Sequence, residues 1–148
     1  MSDQPSNRAG GKSGYRLLPH TADVMVAAWA PTMAECIAEA VRGLVAIFAD
    51  VRRARPQRLI PFACDPAPET ELLVDVLDEV IFLLDTEDVV PAQVALASTE
   101  NGGLVGEFGV VPRSEVTAVG PVPKAVTRHE LRLTRVEDRW QAQVVVDV

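Results

Sequence analysis

His20, Thr21, Ala22 and Asp23 stand directly ahead of the apolar residues 24–29, and the sequence closes on Val144, Val145, Val146, Asp147 and Val148. If both apolar runs are strands, a sheet can bring Asp23 and Asp147 together although they are far apart along the chain. With the Val148 carboxylate they would supply hard oxygen donors suited to Ca²⁺ or Mg²⁺. Like charges held at short range raise one another's free energy, so such a cluster calls for a cation. The ligand spacings of a structural zinc site are missing. His20 would orient Asp23 from outside the ligand set. Each residue also has a plainer role: Asp after Thr forms turns and caps, a C-terminal carboxylate is solvated, and His20 and His129 serve as hydrogen-bonded structural histidines.

Two further residues carry a double reading. Glu35 is the fourth residue of Thr32, Met33, Ala34, Glu35, a capping-box pattern in which its carboxylate satisfies an exposed backbone donor. Lys124, one of two lysines among otherwise arginine cations, is either a solvated surface residue or a contact for an acidic partner or a phosphate. No glycine-rich phosphate loop and no nucleophile constellation occurs. Asp23 and Asp147 holding a metal with His20 as general base would make a small metal-dependent hydrolase. A metal-stabilised binding module is the third reading.

Simple elements must position these residues. Residues 15–18 and 24–29 read as strands separated by a polar break over 19–23. From Thr32, Ile37, Val41, Leu44 and Phe48 recur at helical spacing, giving an amphipathic helix that ends near Asp50. Residues 59–63 read as a strand that Pro61 places at an edge. Leu72, Leu73, Val76, Leu77, Val80, Leu83 and Leu84 form the stripe of a second helix, with Glu71, Asp75 and Asp78 opposite. Residues 94–97, 104–111, 125–133 and 140–146 are strand-like, with turns at Asn101, Gly102, Gly103 and at Glu137, Asp138. Helices and strands without regular alternation give an α+β fold: a two-layer sandwich of a mixed, largely antiparallel sheet with two main amphipathic helices.

The 148 residues suit one domain. Residues 1–13 lack apolar anchors and read as a disordered lead-in, leaving 14–148 as the domain. A net charge of −7 argues against a broad basic surface for nucleic acid, so RNA would be reached only indirectly. Cys36 and Cys64 fall in a helix and a strand as small buried residues, which points to a reducing, cytoplasmic setting. No apolar run is long enough to span a bilayer, and a membrane role is not expected.

Taken together, these motifs resemble the archease family. The likeness runs through His20 to Asp23, Ala28 and Trp29, Thr32 to Glu35, and Leu83 to Glu87. It continues through Lys124 to Thr127 with His129, and then Trp140, Ala142 and Val144 to Val148, in collinear order over about residues 15 to 148. Pro123 stands where Val is usual before the lysine, and Arg128 replaces the usual Tyr. The resemblance implies a single archease-like domain over 14–148, not an enzyme but a chaperone-like activator of an RtcB-type RNA ligase in tRNA splicing and RNA repair. It would promote GTP-dependent guanylylation of the ligase and its repeated turnover. It assigns Asp23, Asp147 and Val148 to a metal, and Glu35 and Lys124 to ligase activation, with His20 in the same signature.

Overall fold

The computed structural model describes residues 12–20 and 23–148. The lead-in expected over 1–13 therefore lies outside the described residues except for Lys12 and Ser13. In chain order the elements are β1 (Gly14–His20), β2 (Asp23–Ala30), α1 (Met33–Ala46), β3 (Ala49–Asp50), β4 (Arg58–Cys64) and α2 (Glu69–Glu87). There follow β5 (Val89–Ser98), β6 (Leu104–Pro112), β7 (Thr117–Ala118), β8 (Ala125–Val136) and β9 (Arg139–Asp147). Their class is α+β, as expected. The described strands form a four-stranded sheet of order β1-β2-β9-β8, a three-stranded sheet β4-β6-β5 and a ribbon β3-β7, and every pairing is antiparallel.

Alternation in β2 decides which face of the large sheet meets the helices. Val26, Ala28 and Ala30 enter the core, as do Ala142, Val144 and Val146 of β9. Residues between them point the other way, because successive strand side chains alternate faces. α1 runs back along β2: Cys36 Sγ lies 3.7 Å from the Ala28 carbonyl, and a Cβ at Gly43 would meet Val26 Cγ1 at 2.6 Å. The helix thus leads from the far end of β2 toward the end that carries Asp23. Arg42 ties α1 to the small sheet, donating to the Val94 carbonyl at 3.2 Å while pairing at 3.2 Å with Glu39, which is 3% exposed.

Four boundaries depart from expectation. β1 continues through His20, so the polar break shrinks to the link between His20 and Asp23. α1 stops at Ala46, where Ile47 and Phe48 donate to Leu44 and Val45, tightening the last turn. Ala49 and Asp50 then pair with Ala118 and Thr117, a long-range bond that helical periodicity does not contain. β5 begins at Val89, five residues early, because Pro91 sits at a register shift where a missing N–H is tolerated. β8 extends to Val136 and is interrupted by a bulge between Thr127 and Arg132.

Gly43→Ala is expected to destabilise the protein by about 1–3 kcal/mol in urea unfolding, since the overpacking against Val26 outweighs the helix propensity gained. Burial, reinforced by Glu39, pushes the Cys36 thiol up to about 12, and burial also raises that of half-buried Cys64. Iodoacetamide at pH 8 should therefore label Cys64 first and reach Cys36 only when the protein unfolds, as peptide mapping would show.

Candidate functional site

β2 and β9 meet in the register Asp23↔Asp147, Val24↔Val146, Met25↔Val145. Directly opposed residues of an antiparallel pair project from the same face with Cβ atoms about 4.5–5.5 Å apart. Both carboxylates thus lie side by side on the face away from the helices, at one end of the sheet. His20 opposes Asp23 across the β1-β2 pair, and Ala125 opposes Asp147 across the β8-β9 pair. The tip is one row of four strand positions: His20, Asp23, Asp147 and Ala125.

Burial differs along this row. Asp23 is half-buried, with its Oδ1 atom closed off from solvent, whereas Asp147 is exposed. Val148 packs against the core. Lys124 is exposed, and its backbone N–H donates to the Asp147 carbonyl at 2.8 Å. That bond fixes where the lysine leaves the sheet, next to the paired carboxylates. Buried Pro123 precedes it and anchors the approach. The backbone of His20 belongs to the row, while its side chain lies outside the described residues, as do Thr21 and Ala22. The imidazole that a hydrolase would use as base is among the parts not described.

Glu35 is elsewhere. It begins α1 just beyond Ala30, so the full length of β2, roughly 23 Å by strand rise, separates it from Asp23. Thr32 caps the helix: its Oγ1 accepts from the Glu35 N–H at 3.2 Å and donates to Glu35 Oε1 at 3.0 Å. The glutamate therefore closes on the Thr32 hydroxyl, a local variant of the expected box. Among the described residues, no group of three His, Cys, Asp or Glu side chains is placed to hold a metal ion. The tip offers two carboxylates and main-chain oxygens, a hard donor set whose chemistry suits Ca²⁺ or Mg²⁺.

Two features near the tip were not foreseen. His129 leaves the strand alternation altogether: it lies in the β8 bulge, is 73% exposed at its side chain, and has Nε2 3.2 Å from Glu130 Oε2. Arg128, at the position where the resemblance led one to expect Tyr, forms an ion pair with Glu71 on α2 and so ties the bulge to the acidic helix face. Charge complementarity between residues 71 and 128 was the available signal, but the bulge that brings them together has no signature in a single sequence.

A helix-backed antiparallel sheet with paired carboxylates and a lysine at one end is the architecture of a small α+β protein with a chemically distinct tip. The Archease protein family (MTH1598/TM1083) matches residues 15–148, and the chain belongs to this family. It is 40% identical over 145 residues to the "Probable protein archease" of Mycobacterium tuberculosis, covering 97% of this chain and 79% of that protein. To the "Protein archease" of Thermococcus gammatolerans it is 30% identical over 141 residues, 87% of this chain and 94% of that one. The fold is shared with protein 1598 of Methanobacterium thermoautotrophicum (TM-score 0.74, 21% identity, 90% of this chain and 98% of that one). It is shared too with the archease of Thermotoga maritima, described as a possible chaperone (TM-score 0.63, 19% identity, 88% and 94%).

Because the cap and the lysine play separable parts, Thr32→Ala should cost about 1 kcal/mol of unfolding free energy. Lys124→Ala should stay within about 0.5 kcal/mol of wild type in the same urea titration.

Proposed function

We propose that this chain is an accessory protein that activates an RtcB-type RNA ligase, promoting its GTP-dependent guanylylation and multiple turnover in tRNA splicing and RNA repair. The observation that carries the reading is the register Asp23↔Asp147 with Lys124 bonded to the same strand end. Membership of the archease family supports it. In this reading the tip is braced by a Ca²⁺ or Mg²⁺ ion held by Asp23, Asp147 and the main-chain oxygens of Val148. The bound ion supplies positive charge that lets adjacent carboxylates share one row. His20, opposite Asp23, steadies that carboxylate.

Lys124 then presents a cation to an acidic or phosphate group beside the ligase active site, and the rigid sheet end holds it at a fixed place. Glu35, at the other end of β2, meets the ligase at a separate contact. The protein grips no active-site chemistry of its own in this scheme; it favours a ligase geometry in which histidine, GTP and the ligase metals are aligned for nucleotidyl transfer. The work is cytoplasmic.

Ligation turnovers counted per ligase, with GTP and a divalent metal, test the scheme. Wild type should raise the count, and Asp147→Ala or Lys124→Ala should lower it toward that of ligase alone; no rise with wild type would remove the activator reading. A thermal shift tests the ion separately. Ca²⁺ or Mg²⁺ at a hundred times its Kd should stabilise wild type by about 2.7 kcal/mol and leave Asp147→Asn unchanged. Equal stabilisation of both would place the ion elsewhere.

A further inference from the structure

The face of the large sheet away from the helices is chemically unlike the rest of this acidic chain; nearest the tip it is closed over Val145, 1% exposed, and the rows beyond are half-buried to exposed. Two rows in from the tip, the ladder aligns Arg16, Ala27, Gln143 and Arg132 across all four strands. The next row contains Trp29, Gln141 and Thr134, and the Arg139 guanidinium lies 5.9 Å from the centroid of the Trp29 ring. Alternation places these side chains opposite Val26, Ala28, Val144 and Ala142, which face the helices. No Asp or Glu occupies these rows of the sheet. Acids border these rows: Glu130 of the bulge, whose carbonyl accepts from Gln143 Nε2 at 2.9 Å and whose carboxylate is 3.2 Å from His129, and Glu137 and Asp138 in the turn just before Arg139.

Pairing sharpens the contrast. Arg42, Arg52, Arg58, Arg113 and Arg128 are each matched by a carboxylate. None of the ion pairs among the described residues involves Arg16, Arg132 or Arg139, and all three are exposed, as are Arg53, Arg55 and Arg135, which also stand outside those pairs. The net charge of −7 is an average over the whole surface, and it does not describe these rows, which hold no Asp or Glu. Arginines at both margins, small Ala27 between them, and a half-buried indole with the Arg139 guanidinium over its ring make a cationic platform with a layered aromatic and guanidinium surface. Single strands are bound by that combination, backbone phosphates by the cations and bases by the aromatic ring.

We infer that the β1-β2-β9-β8 face binds single-stranded RNA directly, with Arg16 and Arg132 on phosphates and a base stacking on the Trp29–Arg139 pair, along a track that leads to the Asp23–Asp147 tip about 13 Å away. This goes beyond the activator reading, in which RNA is met only through the ligase, and it is tested without any ligase. Fluorescence anisotropy of a short labelled single-stranded RNA against the full chain at low salt should show weak, salt-sensitive binding. Replacing both Arg16 and Arg132 by Ala should flatten the slope of log K against log salt by about 1.4, at roughly 0.7 per lost phosphate contact. Trp29→Ala should weaken binding at least about fivefold with the slope unchanged, and Trp29→Phe should restore most of it. Thermal melts confirm that the variants remain folded.

Arg53→Ala with Arg55→Ala, on exposed arginines away from this face, should bind like wild type. Asp147→Ala should also bind RNA normally while failing to activate the ligase, so the two readings fail separately. The assignment is overturned if no binding occurs at low salt, or if the slope survives loss of Arg16 and Arg132. It is equally overturned if the Arg53 and Arg55 variant loses binding as severely. Displacement of the RNA by poly-glutamate together with indifference to Trp29→Ala would give the face to an acidic protein instead.

Discussion

The antiparallel ladder between β2 and β9 is the constraint on which the rest of the molecule depends. Strands near the two ends of the domain become neighbours in the centre of the large sheet, and one register fixes everything they carry. A slip of one residue would turn Val24, Val26, Val144 and Val146 out of the core and the carboxylates into it. The apolar face therefore enforces the position of the polar one. Burial of valines on the helix side, worth about 1.5–3 kcal/mol for each fully buried side chain, holds two like charges side by side on the other.

The helices complete this arrangement from behind. α1 crosses β2 closely because Gly43 has no side chain, and its buried Glu39 and part-exposed Arg42 link the large sheet to β5. α2 receives Arg128 from the bulged strand β8. In this way the edge strand is held by an ion pair on one side and by the Gln143 bond to Glu130 on the other. Glu130 and Glu137 adopt left-handed backbone conformations, the first within the bulge and the second in the β8-β9 turn. Such non-glycine conformations carry a local energetic cost, and the surrounding bonds keep them in place.

The large sheet thereby has two unlike faces and one special end. Its inner face is apolar and continuous with the core, its outer face is cationic with a half-buried indole, and its end bears carboxylates beside a lysine. An acidic domain can in this way present distinct chemistry to distinct partners without changing its overall charge. The proposed ion and the proposed RNA track occupy different rows, since the apolar row of Met25 and Val145 separates Asp23 and Asp147 from Arg16 and Arg132.

Local patterns in the sequence determined much of this. Helical spacing of Ile37, Val41 and Leu44, the Thr32 cap, the Pro61 edge strand and the turns at Gly102 and Glu137 all act over a few residues, and each is present as read. The ends of two apolar runs likewise singled out Asp23 and Asp147. Tertiary structure alone decided that these residues share a row, that Glu35 stands far from them, and that His129 and Arg128 leave the strand in a bulge. It alone aligned Arg16 with Arg132, on strands more than a hundred residues apart. The physical reason is that register, bulges and rows across a sheet arise from pairing between distant segments, whereas a single chain's periodicity reports only which face each residue prefers.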